Sequence, residues 1–219
     1  MLLVLVLAAS PLEIAQDWET RGDDGKAIAE LTDAVTKEPR WSIGRVELGR
    51  LQLKQGLSDA ALENLDIART LAGDNPRAHY LYALAASDSG HQNEARRSLE
   101  VALALRDDFA DAQVRLASVL MAEGEFAPAA ALLAKYVATH GDDGGAHLQY
   151  AEALSRSGQM KLAEAQLRAL LDKPNLRMLA GRKLAALLDG QGRHVDAEAV
   201  RKKIDPPKKQ LRELKPSTR

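Results

Sequence analysis

Cysteine is absent from the 219 residues. That excludes disulfides, thiol nucleophiles and cysteine-ligated metals, and it is compatible with either redox compartment. Net charge is also nearly absent: 30 Lys and Arg stand against 31 Asp and Glu, which leaves −1. A chain so balanced gives no global reason to expect nucleic acid or a strongly acidic partner. The one long apolar run, MLLVLVLAA at residues 1–9, is too short to span a bilayer, which takes about 20 residues. Gly and Pro never cluster into a linker. No HExxH, no glycine-rich phosphate loop after a strand and no GxSxG occurs, so the motifs of zinc hydrolysis, nucleotide binding and serine hydrolysis are missing.

What the chain does contain is a repeat. Gly22, Gly56, Gly90, Gly124, Gly158 and Gly192 stand 34 residues apart. Five residues after each comes an alanine: Ala27, Ala61, Ala95, Ala129, Ala163 and Ala197. Nine after come Leu31, Leu65, Leu99, Leu133 and Leu167, with Arg201 breaking the series. Seven before come Ala15, Gly49, Ala83, Ala117, Ala151 and Ala185; eight before come Ile14, Leu48, Tyr82, Leu116, Tyr150 and Leu184. Self-similarity at this period marks a solenoid. Glycine tolerates positive φ and can close one helix so that the chain reverses. Small residues on the facing sides of the two helices let the backbones approach, and the Leu, Ile and Tyr positions supply an apolar stripe at helical spacing. One such hairpin buries too little alone, so neighbours must stack.

The pattern resembles the tetratricopeptide repeat family over roughly residues 8–205. That family's motif has an apolar residue and then Gly or Ala in a first helix, Gly at the turn, Ala in the second helix, a large apolar residue, another Ala and a loop proline. Ala34, Ala68 and Ala102 fill the second alanine position, whereas Tyr136, Leu170 and Ile204 replace it later. Only Pro39 fills the loop proline in register. The resemblance implies an all-α fold, a right-handed superhelix of six 34-residue helix-turn-helix repeats. The divisions are an apolar segment at 1–9, a solenoid at 10–205 and a basic tail at 206–219.

The expected helices are 11–21 and 25–37, 42–54 and 58–71, 77–88 and 92–105, 110–122 and 126–139, 145–156 and 160–172, and 178–189 and 193–204. Ser10 and Pro11 suit the N-cap and first position of the first helix. Residues 1–9 have two readings, an export signal or an apolar cap on the first repeat; a start further upstream is a third. Small residues follow the run as in a signal, but no Lys or Arg precedes it and Pro11 sits near any cleavage point. At the other end, eight Lys or Arg between Arg201 and Arg219 stand against Asp205 and Glu213, which leaves +6 there and −7 on residues 1–200. A solvated terminus is the simpler reading, an electrostatic docking arm the functional one.

No catalytic residue, metal site or cofactor is expected. His79 and His147 occupy equivalent places two repeats apart and cannot share a metal in one chain. GDDG at 22–25 and 141–144 lacks the alternating ligands of a calcium loop and reads as turn chemistry. Trp18, Tyr82 and Tyr150 fall on core positions, and Trp41 and Phe109 precede new repeats, where they would plug the loop. Tyr80 falls on the other side of its helix.

In the resembling family the first helices line a concave groove. Residues ten, six and three before each glycine share one face: Val46, Arg50 and Leu53; Tyr80, Leu84 and Ser87; Val114, Ser118 and Met121; Leu148, Glu152 and Ser155. Glu47, Leu81, Arg115 and Gln149 flank it. Arg50, Tyr80, Leu84, Val114, Arg115, Met121 and Glu152 are therefore the candidate partner-binding residues, with a protein or peptide as partner. The alternative is that Leu81 and Leu84 pack against the adjacent repeat. The carboxylate clamp of chaperone-binding members is missing: Leu12 with Gln16, Val46 with Arg50, and Tyr80 with Leu84 stand where Lys, Asn and Arg would be needed. The function expected is a non-catalytic interaction scaffold, with a lean towards bacterial envelope assembly; the rival is a recruiting domain of a larger enzyme system. Membrane contact would come only through residues 1–9, and nothing in the sequence sets the oligomeric state.

Overall fold

The computed structural model describes residues 9–205. Among them are twelve α-helices and no strand: α1 (Pro11–Thr20), α2 (Asp24–Lys37), α3 (Ser42–Lys54), α4 (Ser58–Leu71), α5 (Pro76–Asp88), α6 (Gln92–Leu105), α7 (Ala110–Ala122), α8 (Phe126–Thr139), α9 (Gly144–Arg156), α10 (Met160–Leu170), α11 (Arg177–Gly190) and α12 (His194–Ile204). The readings of residues 1–8 and of the tail 206–219 lie outside the described residues.

Each turn glycine takes positive φ, between 73° and 85°. A Cβ at any of the six would meet nothing within 4 Å, so dihedral angle rather than space demands glycine there. The residue after each glycine donates its N–H to the carbonyl five back: Leu57 to Gln52 at 2.8 Å, His91 to Ala86 at 2.7 Å, Gln159 to Leu154 at 2.8 Å, and likewise at the other three turns. These are Schellman closures, which use carbonyls that the helix end leaves open. The helix starts follow local chemistry as well. Ser10 and Glu13 form a reciprocal capping box. In the two GDDG turns, Asp23 accepts from the Lys26 N–H and Asp143 from the Ala146 N–H. Those carboxylates cap helices, as the turn reading expected.

The chain divides into two compact units, Met1–Ala112 and Gln113–Arg219. In the first, α1 packs on α2, α3 on α4 and α5 on α6, with α2 on α3 and α4 on α5 joining the pairs. The fully buried positions are those set by the period: Ala27, Ala61 and Ala95, and Leu65 and Leu99, are all at 0 % exposure. Gly49 lies under Leu65, whose Cγ would be 2.4 Å from an added Cβ.

In the second unit α9 packs on α8 and α10, and α11 on α10 and α12. Its core gathers Leu148, Leu167, Leu170, Leu184, Leu188 and Val200. The large residues at the second alanine position find their space locally. Ile204 lies over Gly181, where an added Cβ would come within 2.4 Å of it. Helix α10 ends at Leu170 and not at residue 172, and Lys173-Pro174 lies in the turn that follows. Proline disfavours the helical region for the residue before it, and so favours the earlier stop.

Ala129 is at 0 % exposure. Ala129→Leu is expected to overpack its site and cost about 1–3 kcal/mol. Thermal unfolding that leaves the variant as stable as the parent would refute the register.

Candidate functional site

The first unit's candidates are Arg50, Tyr80 and Leu84. Arg50 is half-buried and engaged by its own chain. Its Nη1 and Nη2 reach Glu19 at 3.1 and 2.6 Å, and its Nε reaches Glu47 at 2.7 Å. Lys54 bridges Glu19 and Asp24 at 3.0 and 2.9 Å, and Arg77 reaches Glu47 at 3.0 Å. Three acids thus face three bases across α1, α2, α3 and α5. The paired guanidinium holds the Glu19 carboxyl down at about 2, well below its ordinary value, and Glu19 in turn pushes Arg50 upward. Asp24, unremarkable in sequence, is buried and accepts from both Lys54 and Gln55. These side chains satisfy one another and tie successive first helices together.

Tyr80 packs on Phe109, with ring centroids 4.9 Å apart and planes tilted by 50°. Arg106 covers Phe109 in turn, its guanidinium carbon 3.7 Å from that ring's centroid. Tyr80, ten before its glycine, thus shares in packing at the start of the next repeat while staying half-buried. Val46 and Leu148 at the same offset are 4 % and 8 % exposed, and Leu148 sits in one core cluster with Ala180 and Leu184 of the next repeat. In the last copy this offset holds Arg182, which is exposed. Together with Arg201, it makes the last pair's outer side polar, as a terminal repeat requires. Leu81 is also buried, in line with packing against the adjacent repeat, while Leu84 is half-buried.

Of the aromatics placed on core positions, Tyr82 is buried; Trp18 is half-buried and packs against the first unit's core, and Tyr150 is half-buried. Lys26 stands 4.4 Å from the Trp18 centroid and keeps that ring at a charged surface. The equivalent histidines are structural: His79 Nε2 meets the Gly73 carbonyl at 3.0 Å and His147 Nδ1 meets Gln166 at 3.2 Å. Among the described residues no group of three or more His, Asp or Glu could hold a metal ion, and no helix is long and apolar enough to cross a membrane.

The second unit's candidates lie on α7 and α9. Val114 and Met121 are half-buried, and Arg115 is exposed. Glu152 lines a cleft of about 260 Å³ between the first helices α9 and α11. Ala151 and Leu167 form its buried floor; Glu152, Ser155 and Arg156 come from α9, and Lys183, Ala186 and Leu187 from α11. Lys183 reaches Glu152 at 2.8 Å across it. Arg156 lies over the Phe126 ring, 4.4 Å from its centroid, so its guanidinium is held at the rim. Lys183, Ala186 and Leu187 were not among the expected residues. The sequence carried a signal for two of them: Lys183 and Ala186 stand nine and six before Gly192, at the offsets used for the earlier repeats.

Solved structures share this arrangement of helices. A tetratricopeptide repeat protein from Parabacteroides merdae superposes with a TM-score of 0.67 at 19% identity, over 89% of this chain and 77% of that one. YrrB, described as a TPR protein with an unusual peptide-binding site, gives 0.74 at 19% identity over 84% of this chain and 98% of its own. MamA residues 41 to the end, from Desulfovibrio magneticus RS-1, gives 0.65 at 18% over 80% and 97%. The chain has the tetratricopeptide-repeat fold. No protein-family model matches it, and no curated protein does. The six Schellman turns, the buried alanines five residues on and the Gly49–Leu65 contact are the local chemistry of this repeat in the present chain.

Proposed function

We propose that this tetratricopeptide-repeat chain is a non-catalytic scaffold that holds a peptide segment of a partner protein on its first helices. The observation that carries the reading is the cleft between α9 and α11, which has an apolar floor and a polar rim. Its volume of about 260 Å³ falls below the roughly 300–1,000 Å³ of small-molecule sites. It suits an anchoring side chain of a longer ligand. The peptide-binding description of YrrB supports the same reading through a shared fold. Tyr80, Leu84, Val114 and Met121 are proposed as further apolar contacts, with Arg50, Arg115 and Glu152 setting orientation at the edges. Of these, Arg50 is already engaged within the chain. Arg115 is the stronger candidate for an external partner. Assembly work in a bacterial envelope remains part of the proposal, resting only on the apolar run at 1–9.

Two variants test it against partners captured from the native host. Leu187→Glu places a charge in the cleft at a half-buried position and is expected to keep its helical circular dichroism. Affinity should fall about 30-fold or more, since losing a central anchor costs about 2 kcal/mol or more. Tyr80→Ala with Met121→Glu should also lose partners while remaining helical. Retained capture by all of these variants would sink the groove reading. Unfolding of the double variant alone would make Tyr80 and Met121 core residues and leave the cleft as the site.

A further inference from the structure

We propose, building on the scaffold reading, that the α9–α11 cleft takes an internal acidic peptide segment in which an apolar side chain neighbours a carboxylate, and that this carboxylate displaces Glu152 from Lys183.

The walls of the cleft are basic. Of the side chains that line it, Arg156 and Lys183 stand against Glu152, a net +1 on a chain that is −1 overall, while Arg182 of α11 lies on the side towards α12. Asp189 is already committed to His194 and Arg201 of the last helix. Glu152 is thus the one acid in the cleft lining, facing Lys183 and Arg156.

The Glu152–Lys183 pair differs from the network around Arg50. Its side chains are 42% and 37% exposed, and they form a single bridge. The Arg50 guanidinium is 28% exposed and makes two carboxylate contacts, and Glu19 and Glu47 are each shared by two cations. Solvent-exposed single pairs contribute little to stability and are readily exchanged. A ligand carboxylate arriving at Lys183 would replace an equivalent bond, leave Glu152 free to turn into water, and gain Arg156 as a second cation. The apolar side chain beside it would cover Ala151 and Leu167, which form the floor. A basic peptide would meet Lys183 and Arg156 without compensation, so the same arrangement repels the opposite class.

An unbiased probe is a displayed random 12-residue peptide library, blocked at its C-terminus and selected against the purified full chain at low salt. Recovered peptides should be enriched in Asp and Glu beside Leu, Ile, Met or Phe, and depleted in Lys and Arg. Synthetic copies measured by fluorescence anisotropy should bind Lys183→Glu at least tenfold more weakly, and Glu152→Gln several-fold more tightly because Lys183 is already released. The exchanged double variant, Glu152→Lys with Lys183→Glu, keeps the pair and the net charge and should still lose the acidic peptides. Neutral or basic peptides whose binding fails in Leu187→Glu would overturn the acidic class while leaving the cleft as the binding site. Acidic peptides that bind all variants alike would overturn both this inference and the cleft. A library that yields no binder would overturn the inference, and partner capture by the parent chain would then decide the scaffold reading on its own.

Discussion

Leu65→Ala is expected to destabilise the first unit by about 2–5 kcal/mol, the range for a buried leucine whose site cannot collapse. Leu65 is fully buried at 0 % exposure. It lies directly against the backbone of Gly49, seven before its turn, so its removal leaves a void between two helix axes. The reverse substitution tests the same contact. A Cβ on Gly49 would stand 2.4, 2.8 and 2.9 Å from Leu65 Cγ, Cδ2 and Cδ1. Gly49→Ala gains up to about 1 kcal/mol in helix propensity. The clash should outweigh that gain, for a net loss of about 1–3 kcal/mol. Trp18 and Trp41 are the two tryptophans and both lie in the first unit, so their fluorescence follows this unit's unfolding. The double variant should be less destabilised than the two single losses added, because the trimmed side chain makes room for the new methyl. Strict additivity would mean that the two residues do not share this contact.

That contact also shows why the fold could be read from sequence. A six-fold periodicity averages over local accidents, and the turn glycines, the alanines and the leucines each answer to a steric demand repeated at every copy. Every helix but α10 begins and ends within one residue of its expected bounds. The early end of α10 lies close to Pro174, the residue least able to obey the repeat.

The candidate face was less legible. An offset of ten residues from the glycine looks like open surface on a helical wheel, because a wheel knows nothing of the next repeat. Leu148 shows the error: it is buried against the following pair. Arg50 shows what else a wheel hides: a cation on an outward face reads as unpaired until Glu19, 31 residues earlier, turns out to lie beside it. Lys183 belongs to the sixth repeat, which as the terminal copy reads first as a polar cap and not as a wall of a groove. The pairing of Lys183 with Glu152 depends on how two first helices approach each other, which no single repeat encodes.

The second large effect is acid sensitivity centred on Glu19. Its carboxyl is held at about 2 against an ordinary 4.5, first by the hydrogen bonds from Arg50 and then by Lys54, with burial opposing both. A carboxyl whose folded value is depressed contributes stability that is fully present above its unfolded value and is lost as pH falls through the folded one. The window is therefore from about 4.5 down to about 2. Lowering a pKa tenfold in acid strength corresponds to about 1.4 kcal/mol. The side chain is 24% exposed, so solvent screens part of the gain, and about 1–3 kcal/mol is expected. Glu13, Asp23, Asp143, Glu164 and Asp189 are lowered too, so the parent protein alone cannot isolate Glu19. The difference between parent and Glu19→Gln can. By denaturant unfolding followed through tryptophan fluorescence, Glu19→Gln should be less stable than the parent by about 1–3 kcal/mol at pH 7. The gap should narrow below pH 4.5 and close near pH 2, because a protonated Glu19 and a glutamine then present Arg50 with the same neutral partner. A gap that stays constant over the whole range would mean that Glu19 acts through packing and that its charge contributes nothing to the junction of α1 and α3.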